Sequence, residues 1–234
     1  MTSIIRVQNI QYTDGDSAIT IADGGGITLP QTVTVSGNIE LGHATDTTLS
    51  RSAAGTLQVE GKTVLTTGHA GAVLQTIQSV KLDRFQGQAS TPTDIDGTDE
   101  SGGGSIFECN ITPSSSSNKV LVIMSMAVTG TDAGTGVTMV RGSTEIYKGA
   151  ASGSKARLTI GVLYGSGSNN NVYSAPVSTA VFLDSPGVTS EVTYKPQYFS
   201  RGSSNFNLGH TIYNTDNDNA SRVPSSITLM EIAG

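Results

Sequence analysis

Tryptophan is absent from this sequence, and cysteine and charged residues are scarce. The single cysteine, Cys109, excludes a disulfide within the chain. The 13 lysines and arginines are scattered singly under a net charge of −6, so no basic stripe can neutralise a phosphate backbone. The sequence also lacks the ~18 consecutive apolar residues of a membrane span, and its first residues form no signal peptide. We therefore expect a protein made in the cytoplasm that binds no nucleic acid and inserts into no membrane.

Glycine, serine, threonine and asparagine take the place of the missing residue types. Glycine contributes 28 residues, and charged residues amount to 14% of the chain, against about 25% in an average soluble domain. This composition favours short strands and turns with a neutral, polar surface. Since no segment has a sustained helical period, the sequence predicts an all-β protein.

The apolar pattern divides the chain into three zones, 1–36, 37–72 and 73–234. Zone 1–36 alternates apolar and polar residues between turn sequences such as DGDS and DGGG, which predicts short strands. Zone 37–72 continues as strand fragments with two or three apolar side chains each, and zone 73–234 has longer and richer strands.

Zone 37–72 has too few apolar residues to form a core by itself. Ordering each residue costs about 1–2 kcal/mol, and burial of apolar surface must offset that cost. Three intertwined copies would bury the six apolar side chains of this zone between chains: Leu41, Leu49, Leu57, Val59, Val64 and Leu65. We therefore expect an intertwined β shaft that folds only as a trimer. The alternative is a disordered linker rich in Gly, Ser and Thr.

Zone 73–234 contains about ten strand-like segments, which predicts a two-sheet β-sandwich of jelly-roll type. The segment 137–148 divides at Arg141, Gly142 and Ser143 into a hairpin. Cys109 shares one strand face with Phe107 and Ile111, and we interpret it as a small buried hydrophobe.

Two strands of this zone are apolar on both faces, although a sandwich strand normally has one wet face. In 119–128 the alternate positions on one side of the strand are apolar. Leu121 and Ile123, on the other side, are apolar as well. The last strand, within 225–234, has the same property. A closed homotrimer in which these strands meet a second subunit would explain both faces.

Four segments resemble C-terminal modules of tail-fibre and other fibre-like structural proteins of tailed bacteriophages. They are ITPSSSSNKVLV (111–122), MVRGSTEIYKG (139–149), VFLDSPGVTSEVTYKPQYFS (181–200) and SSITLMEIAG (225–234). The earlier TTLSRSAAGTLQVEGKTVLT (47–66) is similar to the shafts of such proteins. The resemblance implies a trimeric virion appendage whose head has the jelly-roll architecture of complement C1q and tumour necrosis factor. It assigns no binding residue.

Sequence motifs for catalysis or metal binding are weak. His43, His69 and His210 lie in different segments without a second ligand at metal spacing. We interpret His43 and His69 as polar turn residues. The alternative is that three symmetry-related copies of His43 or of His69 meet on a three-fold axis. The acidic runs at 94–100 and 214–219 resemble solvated loops more than glycosidase or calcium sites. We expect no enzyme activity, cofactor or metal.

The predicted contact residues come from an up-and-down arrangement of the ten strands, which would place alternate loops at the far end of the head. These loops are 85–104, 129–135, 150–155, 184–189 and 214–224. Their charged residues are the candidates for contact with a receptor: Asp94, Asp96, Asp132, Lys155, Asp216, Asp218 and Arg222.

The sequence therefore predicts a non-enzymatic phage fibre protein located on the virion. Its expected partners are two further copies of itself, another virion protein at the N-terminal zone, and a glycan or protein of the host surface. A head fibre or capsid decoration protein of the same build is the alternative. A polysaccharide-degrading tailspike and a purely structural spacer are further alternatives.

Overall fold

The structure is a computed structural model whose described residues fall into nine ranges: 39–40, 48–53, 56–59, 62–64, 70–97, 105–131, 134–164, 173–202 and 204–234. The chain divides into two compact units, Met1–Val64 and Leu65–Gly234. The predicted attachment region, 1–36, lies outside the described residues, and its role stays a prediction.

Four short strands of the first unit form an antiparallel meander in the order β1-β2-β3-β4. They are β1 Ile39–Glu40, β2 Thr48–Ala53, β3 Thr56–Val59 and β4 Lys62–Thr63. Within this sheet Leu57 remains 46% exposed, and Leu49, Val59 and Val64 are only partly buried. The small sheet thus buries little apolar surface, as the sequence predicts, while its assembly into an intertwined shaft stays a prediction.

The second unit contains thirteen strands in its described residues, and its fold is all-β. They are β5 Val73–Lys81, β6 Phe85–Gly87, β7 Thr93–Asp94, β8 Cys109–Ile111, β9 Lys119–Gly130, β10 Gly136–Arg141, β11 Thr144–Ile146, β12 Ile160–Gly161, β13 Leu163–Tyr164, β14 Val177–Asp184, β15 Val192–Phe199, β16 Phe206–Leu208 and β17 Ser225–Ile232. The described part of the chain has no helix that is long and apolar enough to cross a membrane.

These strands form two sheets that are antiparallel except where β13 pairs with β9. The six-stranded sheet has the order β11-β10-β15-β7, with β12 beside β10 and β8 beside β15. The seven-stranded sheet has the order β5-β17-β9-β16-β6, with β13 and β14 also beside β9. The architecture is consistent with the predicted β-sandwich.

The two sheets contribute side chains to one hydrophobic core. The inward positions of β9 are at most 1% exposed: Val120, Val122, Met124, Met126 and Val128. Side chains of the six-stranded sheet, among them Met139 and Tyr194, belong to the same cluster. Cys109 is 3% exposed within it, beside the buried Phe107 and Ile111. The prediction that Cys109 is a small buried hydrophobe is therefore confirmed.

The predicted hairpin at Arg141 is also present, because β10 and β11 pair with Arg141 opposite Thr144. Gly142 within the turn has a φ of 59°, a left-handed conformation that favours glycine. Near the start of this unit, β5 ends at Lys81 and the next strand, β6, begins at Phe85. Lys81 turns inward at this break and donates to Asp83 and to the carbonyl of Gly97.

The predicted up-and-down alternation of the strands is wrong. It requires β9 and β14 to run in the same direction, but the two strands are antiparallel, with Asp184 opposite Val120. The loop after β14 therefore lies at the end of the sheet where β9 begins, opposite the loop that follows β9. Of the predicted far-end set, 184–189 is at the wrong end, and 85–104 contains the short strands β6 and β7.

A polar contact joins the two sheets near that end. Arg141 of the six-stranded sheet donates through Nη1 to both carboxylate oxygens of Asp184, at 2.9 and 2.8 Å. The buried Tyr194 donates its hydroxyl to the same carboxylate at 2.6 Å. Burial and the Asp184 carboxylate raise the pKa of Tyr194, so the phenol stays protonated and remains a donor. The contact between Arg141 and Asp184 joins two residues that are 43 positions apart in the sequence.

A second polar cluster surrounds Glu231, a fully buried carboxylate on the inner face of β17. Its Oε1 accepts from the backbone N–H and hydroxyl of Ser114 and from Nδ2 of Asn118, and its Oε2 accepts from Nε2 of Gln75. These donors belong to β5 and to the turn before β9. Burial by itself would raise the pKa of Glu231, but the hydrogen bonds from Asn118, Gln75 and Ser114 lower it from 4.5 to about 2.

We expect Glu231→Gln to lower the free energy of unfolding by roughly 2–3 kcal/mol, because an amide nitrogen would face donors that now meet a carboxylate oxygen. Urea unfolding at pH 7 and equal protein concentration measures the change. The stabilisation is complete above pH 4.5, the unfolded value, and is lost as the pH falls towards 2. The difference between the two proteins should shrink over the same range.

Glu191→Gln is the matched control, since Glu191 is exposed. It should unfold like the unchanged protein. Equal stability of Glu231→Gln and Glu191→Gln at pH 7 would show that the buried carboxylate is not a stabilising contact.

Candidate functional site

The loop between β16 and β17 encloses the concavity that brings predicted contact residues together. It leaves the sheet after Leu208, which is opposite Val128, and returns at Ser226, opposite Ser125. The concavity has a volume of about 380 Å³ and is lined by Asn214, Thr215, Asp216, Asn217, Ala220, Ser221 and Arg222.

The Asn- and Asp-rich sequence of this loop explains its turns. Asn217 accepts through its side-chain oxygen from the backbone N–H of Asn219 at 3.0 Å, which is an Asx turn. The N–H of Ala220 donates to the carbonyl of Asn217, and the N–H of Asn217 donates to that of Thr215. Local hydrogen bonds of this kind compete with strand pairing, so the run NTDNDN forms a folded loop instead of a strand.

The polar side chains of the concavity are available to a ligand. Asp216 and Arg222 are exposed, and so is Asn214. Within the part of the chain that the structure describes, none of the three has a side-chain hydrogen bond or ion pair. A carboxylate, a guanidinium and an amide therefore share one concave surface with unused donors and acceptors.

Two exposed tyrosines lie beside this loop. Tyr213 directly precedes Asn214 and is 53% exposed, and Tyr173 is 39% exposed. Their rings meet edge to face, with centroids 5.8 Å apart and planes at 70°. Sequence reasoning missed both residues. Nothing in the sequence pairs position 173 with position 213, and Tyr213 lies beyond the end of β16 at Leu208.

The base of the loop is anchored by buried contacts at His210. This residue is fully buried, and its backbone pairs with that of Arg222 across the loop in an isolated β-bridge. Its Nδ1 lies 2.7 Å from the carbonyl oxygen of Thr211. Because a carbonyl only accepts, Nδ1 carries the proton and the neutral tautomer is fixed. Burial lowers the pKa of His210, and the positive charges of Arg84 and Arg222 lower it further.

The other predicted contact residues lie apart from this concavity. Asp94 accepts from Lys195 and Gln197, each at 2.6 Å, and these bonds lower its pKa although burial opposes the charge. Asp96 is exposed at an isolated bridge with Ile106. The exposed Lys155 follows β11 in a separate loop. The site residue Asp132 lies outside the described residues.

The second acid of the β16–β17 loop, Asp218, is exposed but does not line the concavity. Of the seven predicted residues, the structure thus brings Asp216 and Arg222 into one site. Among the residues that the structure describes, no group of three or more His, Cys, Asp or Glu side chains could hold a metal ion. The predicted absence of catalysis is untested by these observations.

We expect His210 to titrate below the ordinary histidine pKa of 6.5, because burial disfavours the charged imidazole, and its neutral form to carry the proton on Nδ1. Nitrogen-15 NMR of imidazole-labelled protein between pH 4.5 and 8 measures both the pKa and the tautomer. The spectrum of His210→Gln assigns the signal, and the remaining histidines serve as internal references. A His210 signal that titrates at or above pH 6.5 would contradict the buried, neutral assignment.

Comparison with known proteins adds no relative to this description. A scan against protein-family models finds no match. A search of curated proteins likewise finds no significant match.

Proposed function

We propose that this protein is a non-enzymatic phage fibre protein. It forms a homotrimeric virion appendage with an intertwined N-terminal shaft and a jelly-roll head, and it attaches the virion to the host surface through loop contacts. Residues 1–36 dock onto another virion protein in this proposal. A head fibre or capsid decoration protein of the same build differs only in what that docking partner is.

The observation that carries the proposal is the outer surface of the seven-stranded sheet. Residues directly opposite each other on paired strands share a face, so the outward residues of β9 define a continuous surface with those of β5, β14 and β17. Its apolar members, which we call the outer apolar face, are Val80, Leu121, Ile123, Val177, Val181, Leu183 and Met230.

Much of this apolar surface is exposed in a single chain. Val181 and Leu183 are each 51% exposed, and Val177 and Val80 are each 49% exposed. The residues between them are serine, threonine, glutamine and alanine. From Leu121 to Ala127 and at their partners on the three neighbouring strands, no outward position carries a charge. Large uncharged apolar patches are typical of surfaces that are buried in an oligomer.

A second copy of the same chain is the occupant that fits this face best. An identical partner is always present at equal concentration, and a chain with only 14% charged residues offers neutral surfaces for such contacts. Three copies around one axis bury the outer apolar face in a closed assembly, which is also what the resemblance to jelly-roll heads of C1q type implies.

The position of the chain entry supports a head mounted on a preceding shaft. The N–H of Gly71 donates to the carbonyl of Ala233 at 2.8 Å, and the N–H of Ala233 donates to Ala72 at 2.9 Å. The chain therefore enters the head beside its last strand, where β9 also begins. The loop after β9 and the start of β16 lie at the opposite end of β9, and in this proposal they face the host surface.

Threefold repetition would provide the binding strength. Once one loop of a trimer is bound, the other two copies are held near the same surface at high effective concentration. Weak contacts at a small polar concavity then add to durable attachment. No cofactor is needed, because the fibre contributes rigid and repeated presentation of its loops.

We expect the full-length protein to have three chain masses by light scattering and Val181→Glu to dissociate. Three symmetry-related carboxylates in the buried face would lack partners, and the cost of their desolvation opposes assembly. Size-exclusion chromatography with light scattering, on both proteins at micromolar concentration, measures the number of chains in each assembly.

Val188→Glu is the matched control, because Val188 is 38% exposed in the loop after β14 and lies off the face. It should remain a trimer. A monomeric wild-type protein, or a Val181→Glu variant as trimeric as Val188→Glu, would overturn the proposal.

A further inference from the structure

We infer that the concavity of the β16–β17 loop, together with Tyr213 and Tyr173, is a saccharide-binding site. The inference rests on the proposed function, since it names the host-surface ligand of the fibre and the residues that contact it. The ligand class is a neutral sugar ring with adjacent hydroxyl groups, presented at a chain end or branch of a surface glycan.

The tyrosine pair supplies the apolar half of such a site. One face of a pyranose ring carries several C–H groups, and an exposed aromatic ring offers a flat surface of matching size. Tyr213 and Tyr173 are exposed by 53% and 39%, and their rings contact each other edge to face. Rigid aromatic rings with an accessible polar tip lose little conformational freedom on binding.

The concavity supplies the polar half. Adjacent sugar hydroxyls each donate and accept, so they pair well with groups that offer both functions side by side. Asp216 contributes acceptors, Arg222 contributes a fork of donors, and Asn214 contributes both. Because none of these side chains has a hydrogen-bond partner among the described residues, binding breaks no hydrogen bond within that part of the chain.

Size and charge favour a sugar over other ligands. A concavity of about 380 Å³ lies within the range of ~300–1,000 Å³ in which small-molecule pockets fall. One carboxylate beside one guanidinium gives the lining no strong net charge, so neither a cation nor a polyanion is favoured. The lining is also strongly polar, which does not fit an apolar peptide anchor.

The base of the site is fixed before any ligand binds. The N–H of Val223 donates to the carbonyl of Gly209, and the backbones of His210 and Arg222 pair in an isolated β-bridge. Gly209 has a φ of 74°, and a Cβ at this position would lie 3.2 Å from the carbonyl oxygen of Asp83. The backbone that carries Arg222 is thus held against the body of the head, and less ordering entropy is lost on binding.

Saturation-transfer difference NMR on the full-length protein tests the site. The probes are glucose, galactose, mannose, rhamnose and N-acetylglucosamine, each added separately in the millimolar range. We expect at least one of them to receive saturation. Tyr213→Ala and Asp216→Ala should each weaken that binding about tenfold, the loss expected from one stacking or charged hydrogen-bond contact.

Two matched variants separate the site from general surface effects. Asp218→Ala removes an exposed acid of the same loop that does not line the concavity. Tyr147→Ala removes a tyrosine that is 55% exposed elsewhere on the head. Both should bind the sugar like the unchanged protein. Light scattering and thermal unfolding of all four variants establish that each is folded.

The outcomes distinguish this inference from the proposed function. A trimer that binds none of the five sugars, or that binds one equally well with and without Tyr213 and Asp216, would overturn the saccharide site and leave the trimeric assembly standing. A monomer that binds a sugar and loses it with Asp216→Ala would support the site while contradicting the trimeric fibre.

Discussion

The backbone of β9 exchanges hydrogen bonds with β17 and β14 along most of its length and with β16 and β13 at its end. Its inward side chains are all but completely buried in the core. A twelve-residue strand with four neighbours has no free edge over most of its length and cannot shift register without exposing those side chains. The remaining strands of the seven-stranded sheet, except the two outermost, take their positions from it.

The same strand links the fold to assembly. An inward face of valines and methionines accounts for the core, but Leu121 and Ile123 lie on the other side of the strand and are only partly buried. Neighbouring strands continue the apolar surface instead of covering it, as Val181 and Leu183 do beside β9. A sheet with two apolar faces gains its full burial only when another layer is added, and the proposed trimer adds that layer without a second kind of protein.

Local sequence patterns predicted the elements that depend on local chemistry. Alternation identified β9 and β17, the residues at 141–143 identified a hairpin, and the strand face of Cys109 identified its burial. Period-two alternation indicates which face of a strand a residue occupies, but not which strand lies beside it. The predicted direction of β14 relative to β9 was therefore wrong. The contacts of Asp94 with Lys195 and of Tyr173 with Tyr213 join distant positions in the chain, and no local pattern carries them.

The candidate site shows why a polar loop can still present a defined surface. A run such as NTDNDN has the composition of a solvated loop, and its tip is indeed exposed. Its two ends, however, meet through the backbones of His210 and Arg222, and Gly209 has a left-handed φ of 74° where a Cβ would lie only 3.2 Å from the carbonyl oxygen of Asp83. Burial and the positive charges of Arg84 and Arg222 lower the pKa of His210 and favour its neutral form at this anchor. The backbone at Arg222 is therefore held by pairing with a buried residue, and the base of the loop is in place without a ligand.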